Sequence, residues 1–267
     1  MRVEVLARAL GDHRRSLGAW AIAIALYVAL IVVVWPSIRD SAQLTSAFED
    51  YPDALKELFG GEASFDFGTA AGYLNAELFS LMYPLLLAVF AISFGAGTLA
   101  GEEERGLLDL VLAHPVRRRR VVGEKAAGLV LALLGLTAVS AATMLGVGAA
   151  VDLDAGIGNL LAAVVGSMLV AAVMGALALV VGAWRGSRAA AIGAAAAVFV
   201  AGYLVQVLAG LVDALGPLRW VSPMYLANGT TPIRNGWPLA QLGGLLVVTA
   251  LLLGSSAWVF DRRDLAR

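Results

Sequence analysis

A chain of 267 residues that is 60% hydrophobic and 15% charged, with a mean hydropathy of +0.83, carries more apolar side chain than a soluble core of its size needs. Its apolar runs lack two-residue alternation, which excludes a membrane barrel and leaves an all-α integral membrane protein; six stretches approach the roughly 20 residues that a bilayer core requires. No cysteine is present, so disulfides, thiolate metal ligands and cysteine nucleophiles drop out, and the net charge of −1 hides an asymmetry along the chain.

Residues 1–16 place Val3, Leu6, Ala7 and Leu10 on one helical face and Glu4 and Arg8 on the other, predicting an interfacial amphipathic helix rather than a signal peptide. The first span is 17–36, ended by Pro36. The extracytoplasmic segment 37–72 is acidic, and within it PDALKELFGG has the proline start and glycine stop of a short helix. The second span, 73–99, has Asn75 and Glu77 near its outer end and Pro84 as a candidate kink. Glu77 is expected in headgroup water, with a place on a substrate route as the competing reading.

The third span, 121–151, is apolar from Ala126 and carries Thr137, Ser140 and Thr143 along one face; such hydroxyls usually bond backbone within the membrane. Gly166, Gly175 and many alanines in the fourth span, 157–183, suit close helix packing. A basic WRGSR loop leads to the fifth span, 189–212, where Gln206 is read as a packing residue that could also touch cargo. Residues 213–238 are too broken by Pro and Gly to span and too aromatic to be a free linker. They predict an outer re-entrant or interface-lying segment steadied by Trp220, Tyr225 and Trp237. Asn228-Gly229-Thr230 fits a glycosylation sequon, a three-residue match of little weight. The sixth span is 239–260, followed by DRRDLAR.

Six spans put both termini on one side. With that side cytoplasmic it holds Arg2, Arg8, Arg14, Arg15, Arg105, Arg117 to Arg120, Lys125, Arg185, Arg188, Arg262, Arg263 and Arg267, which is 15 of the 19 basic residues. The enrichment of Lys and Arg in short cytoplasmic loops selects this orientation.

Residues 101–125, GEEERGLLDLVLAHPVRRRRVVGEK, form the one long charged island between apolar runs, and this orientation puts them in the cytosol. Leu107, Leu108, Val111 and Leu112 share a face of a helix predicted over 101–116, with Glu102 to Glu104 at its positive end and Pro115 as its stop. Arg117, Arg118, Arg119, Arg120 and Lys125 are expected to anchor the third span to lipid headgroups.

This island resembles the cytoplasmic segment of permease subunits of the ABC-2 class, approximately E-x-x-x-G-T-L-x-x-L-L-x-x-P-V-x-R followed by a lysine. Leu107 stands where threonine is usual and Arg117 where serine is frequent. The six-span layout, the aromatic outer region and the closing Phe260, Arg262, Arg263, Asp264 and Leu265 also fit that class and its type V fold. The resemblance implies a coupling helix seated in a groove of a separate ATPase subunit, with Glu102, Glu103, Glu104, Gly106, Leu107, Leu108, Asp109 and Leu110 at the contact. It implies two permease subunits, identical or homologous, in a bacterial or archaeal cytoplasmic membrane. ATP and Mg would be held by the partner and no cofactor by this chain, which contains no G-x-x-x-x-G-K-[ST] loop. Asn75, Glu77 and Gln206 are the candidates for a pathway through the membrane, and small amphipathic or lipid-like molecules are the expected cargo.

Two other classes compete. A glutamate-type intramembrane protease, patterned E-E-x-x-x-R, would need an arginine after a three-residue gap beyond a glutamate pair, where Leu107 and Leu108 stand, and histidines other than the surface-expected His13 and His114. An ion-coupled secondary transporter would place ionisable groups at mid-membrane, which these spans leave nearly free of charge. Nothing in the sequence points to nucleic acid.

Overall fold

The computed structural model describes residues 14–41, 52, 67–107 and 118–263. The expected interfacial helix of 1–16 and the helix of PDALKELFGG therefore lie outside the described residues, apart from Arg14 to Ser16 and Pro52.

Among the described residues every regular element is helical. In chain order they are α1 (Arg14–Arg39), α2 (Ala70–Leu74), a π-helical turn (Asn75–Phe79), α3 (Met82–Thr98), α4 (Ala100–Glu104), α5 (Arg118–Ala150), α6 (Ile157–Arg185), α7 (Arg188–Leu211), a 3-10 helix (Asp213–Val221), α8 (Pro223–Asn228), α9 (Pro232–Asn235) and α10 (Leu239–Arg262). Six helices are long and apolar enough to cross a membrane: α1, the run α2–π–α3, α5, α6, α7 and α10.

Several boundaries differ from the expected ones, for local reasons. The first span continues through Pro36 to Arg39, because proline removes a single hydrogen bond and one further turn is closed by Asp40 N on Pro36 O at 3.1 Å. The third is helical from Arg118 among the described residues, so Arg118 to Arg120 belong to the membrane helix and not to a loop before it.

The second span bends one turn before Pro84. Proline has no N–H, and its ring crowds the carbonyl four residues back, here that of Ser80. The chain meets this with the π turn, closed by Ser80 N on Asn75 O at 2.8 Å, and a break at Leu81 (φ −148°, ψ −52°). The Phe79 carbonyl at the break accepts from Asn228 Nδ2 at 2.7 Å. Asn228 is only 6% exposed, so its amide nitrogen serves this bond and cannot carry a glycan in the folded chain.

That bond fixes how segment 213–238 lies. After α7 the chain turns through the 3-10 helix and doubles back, so α8 packs between helices, with Ser222 Oγ donating to Gly202 O at 2.7 Å. Gly166 of α6 has the Ala227 carbonyl 3.3 Å from where its Cβ would sit. Trp220 and Tyr225 meet edge to face at 5.3 Å with Arg219 beside both rings, and Trp220 and Trp237 both stay half exposed.

Helix α6 is the centre of the bundle and is buried along most of its length, with α3 as its principal partner. The two touch backbone to backbone: a Cβ on Gly95 would collide with the Gly175 carbonyl oxygen, and one on Gly175 would meet Ala91 O at 3.0 Å. Small residues allow this approach, and in lipid such van der Waals packing is what holds helices together. Two of the three hydroxyls on α5 bond backbone as expected, Ser140 donating to Leu136 O at 2.8 Å and Thr143 to Val139 O at 2.9 Å, whereas the buried Thr137 hydroxyl does not.

Gly95→Ala is expected to lower the stability of the purified protein by about 2 kcal/mol or more, since backbone cannot step aside as a side chain can. Gly193→Ala on α7, where a Cβ meets nothing within 4 Å, is expected to be neutral or slightly stabilising. Thermal unfolding in detergent measures both.

Candidate functional site

At the end of the bundle where α3 gives way to α4, three consecutive carboxylates are distributed over three other spans. Leu99 breaks the second span, and the single turn of α4 drops beneath the bundle, its Ala100 and Gly101 buried. Ala100 lies 3.3 Å from the Cβ position of Gly182 on α6, which brings the following glutamates under the helix ends.

Glu102 Oε2 meets Lys125 Nζ of α5 at 2.6 Å. Lys125 is 3% exposed, so it is withdrawn from the headgroups where it was expected and sits inside the fold with its charge answered by Glu102. Glu103 receives Arg263 in a two-pronged pair, Nη2 on Oε1 at 2.6 Å and Nη1 on Oε2 at 3.0 Å. The same guanidinium donates to Ala183 O at 3.2 Å near the C-terminus of α6, while the Arg263 carbonyl accepts from Arg118 Nη1 of α5 at 2.7 Å. Glu104 Oε1 accepts from the backbone N–H of Arg188 at 2.8 Å, at the start of α7. A carboxylate there complements both the orphan amides and the positive end of the helix dipole, beside the Ser187 cap.

Glu102 thus holds α5, Glu103 holds the end of α10 and through it α6 and α5, and Glu104 holds α7. Gly186 makes the middle pair possible. It caps α6 at φ +63°, a conformation that suits glycine, and a Cβ there would strike the Arg263 guanidinium and lie 2.9 Å from Glu103 Oε1.

The expected single helix over 101–116 is divided, because Gly106 takes φ +69° with its N–H on Glu103 O at 2.9 Å. A left-handed glycine ends a helix, so the carboxylates belong to α4, Glu102 and Glu103 partly buried and Glu104 exposed at the rim, while Leu107 beyond the glycine is 42% exposed. Leu108, Asp109, Leu110 and Arg117 lie outside the described residues. Of the other arginines, Arg119 pairs with Asp261 of α10 at 2.8 Å and Arg120 with Glu124 at 2.8 Å, and much of both side chains remains exposed. Arg263, Gly186 and Arg188 were not expected as site residues. The signals were the DRRD run just past the last apolar stretch and a glycine just after an expected helix end.

The pathway candidates are not gathered here. Asn75 is buried within the π turn, Gln206 is partly buried on α7, and Glu77 is the single residue of 72–80 that is not buried. The second span lies antiparallel against α1, with Tyr73 on Ile31 O at 3.0 Å, Tyr27 on Glu77 O at 3.1 Å and Trp20 against Phe90 at 6.0 Å. Glu77 is therefore level with Tyr27 in the middle of α1 and lies seven residues into its own span, Ala70–Thr98. Among the described residues no three metal-ligating side chains come together, and His13 and His114 fall outside them.

Glu102→Ala leaves the Lys125 ammonium without this carboxylate in a buried site, and a loss of about 3 kcal/mol is expected in thermal unfolding. Adding Lys125→Met is expected to recover part of that loss, because a buried charge is then removed along with its partner.

A search of curated proteins finds no match to the chain. A family model described as ABC-2 family transporter protein matches residues 4–265, nearly the whole sequence, including the spans, the carboxylate turn and the Arg263 that closes on it. On that match, and on six membrane-length helices in the order its sequence predicts, the chain belongs to the ABC-2 family of transporter proteins.

Proposed function

We propose that this ABC transporter permease couples ATP hydrolysis by a separate nucleotide-binding subunit to export of a small amphipathic or lipid-like molecule, and that its segment 101–116 receives the push. The observation that carries the reading is the spread of Glu102, Glu103 and Glu104 over α5, α10 and α7. A force applied next to these groups reaches three spans through charge-assisted hydrogen bonds and a fourth, α3, through the covalent chain. Such an arrangement suits a lever that rocks helices as rigid bodies.

The turn at Gly106 supports a separation of tasks within the expected contact. Gly106, the exposed Leu107 and the following Leu108, Asp109 and Leu110 face the ATPase, and Glu102 to Glu104 pass the motion inward. The carboxylate end then faces the cytosol with both termini, in agreement with its 15 basic residues. A second permease copy, identical or homologous, completes the path in a bacterial or archaeal cytoplasmic membrane. Arg119 and Arg120 keep enough exposure to reach anionic headgroups beside their ion pairs. ATP and Mg stay with the partner.

Reconstitution with an ATP-binding cassette ATPase that co-purifies with the permease tests this. The permease alone is expected to hydrolyse no ATP, and the complex to transport only with ATP. Leu107→Asp is expected to lose ATPase binding. Glu103→Gln is expected to keep binding while coupled transport falls about tenfold, and Arg263→Gln in the same background is expected to add little, as for two halves of one contact. Transport by the permease alone in ATP-free liposomes contradicts the proposal.

A further inference from the structure

Helix α8 has only six residues, far too few to span a bilayer, yet both of its ends are hydrogen-bonded to the main chain of other helices. At its start Ser222 Oγ donates to Gly202 O of α7 at 2.7 Å, and the same oxygen accepts from Tyr225 N at 3.2 Å and so caps the helix. At its end Asn228 Nδ2 donates to Phe79 O, in the break of the second span, at 2.7 Å. Both side chains are buried, at 2% and 6% exposure, where water does not replace a lost hydrogen bond. Six residues of helix separate Ser222 from Asn228 by about 9 Å along the axis, close to the spacing of two packed helices.

The same two spans are also tied at the carboxylate turn. Glu104, which follows the second span, accepts from Arg188 N at the start of α7 at 2.8 Å. The second span and α7 therefore run between two cross-links, one at that turn and one at the break. The space between them is filled, since Ile92 of α3, Phe199 of α7 and Met224 of α8 belong to one buried apolar cluster. Gly202 brings α8 close to α7: even a Cβ there would touch Ser222 Oγ and Pro223 Cδ, both at 3.5 Å.

Two helices joined at one point still turn about it, whereas two joined at both ends form a frame that moves as a whole. From this geometry we infer that α8 is the second cross-link of such a frame, and that Asn228 and Ser222 are positioning residues that make α7 follow the second span when the carboxylate turn is displaced. Loss of Asn228 takes this donor from the Phe79 carbonyl and frees α7 to pivot on Glu104. The inference rests on the transporter reading for the source of the displacement, while the frame itself is measured without nucleotide.

Two spin labels test it, at Met82 beside the break and at Leu204 beside Gly202, both exposed and outside the bonds described. Labelled permease is diluted with unlabelled permease, so that only distances within one chain are read. In nanodiscs without the ATPase, the wild-type pair is expected to give a single narrow distance. Asn228→Leu, close in size but without a donor, is expected to broaden or split it, and Glu104→Ala to do the same. The double variant is expected to be no broader than either, because a frame open at one corner is already open. A control pair at Val89 of α3 and Leu131 of α5, both exposed, is expected to stay narrow in every variant. In the ATPase complex the wild-type Met82–Leu204 distance is expected to be the same with and without trapped ATP, and to change with nucleotide in Asn228→Leu. Should the leucine variant not fold, the wild-type complex and Glu104→Ala decide. A wild-type distance that is broad or changes with nucleotide, an unaltered distance in either single variant, effects that add, or a control pair that broadens as well overturns the inference. ATP that moves no label in any complex would sink the transporter reading and leave the frame, read without nucleotide, standing.

Discussion

A carboxylate partly buried beneath a bundle of apolar helices needs a donor at hydrogen-bond distance, and here two such groups, Glu102 and Glu103, are followed by an exposed third that is bonded as well. Lys125, Arg263 and the Arg188 amide answer Glu102, Glu103 and Glu104, each from a different helix. Because α4 is a single turn fixed to α6 through Ala100 and Gly182, the three partners cannot be satisfied unless α5, α7 and α10 end at the right place. The charged end of the bundle is thereby registered to one short turn, and Gly186 is spared a side chain so that the middle pair can close.

The second span connects this turn to the opposite end of the molecule and has two mechanical characters. From Met82 on it is locked to α6, with Gly95 and Gly175 in backbone contact. Above that, Pro84 prevents a regular helix, and the π turn and the break at Leu81 follow. Asn228 closes the break with one hydrogen bond from a segment that belongs to the far end of the sequence. A lever rigid near the applied force and jointed further along can move the carboxylate end without dragging the outer end equally. The polar residues Asn75 and Glu77 lie on the jointed half.

Much of this was legible from residues alone, for reasons that can be named. Span positions follow from apolar length, since lipid leaves backbone no alternative to a helix, and the close approach at Gly166 and Gly175 was readable as glycine among alanines. Lys125 was misplaced because a lysine near a span's end looks the same whether it reaches headgroups or a carboxylate 23 residues earlier in the chain. The place of Glu77 beside Tyr27 depends on how far α1 and the second span are slid along each other, which Tyr27, Tyr73 and Trp20 set and which no local pattern encodes. Gly106 could be read either as a helix residue or as a helix stop, and its positive φ decides. The pairing of Arg263 with Glu103 spans 160 positions, beyond any periodicity in the sequence.

The central claim is that the carboxylate turn and the span ends it grips travel as one body when the ATPase acts. The chain contains no cysteine, so spin labels can be introduced at chosen sites without clearing others. With labels at Leu107, Asp261 and Trp237 taken in pairs, electron–electron distances in the nucleotide-free and ATP-trapped complex should leave the Leu107–Asp261 distance unchanged while both shift relative to Trp237. A Leu107–Asp261 distance that changes with nucleotide while Asp261 holds still against Trp237 would contradict the account.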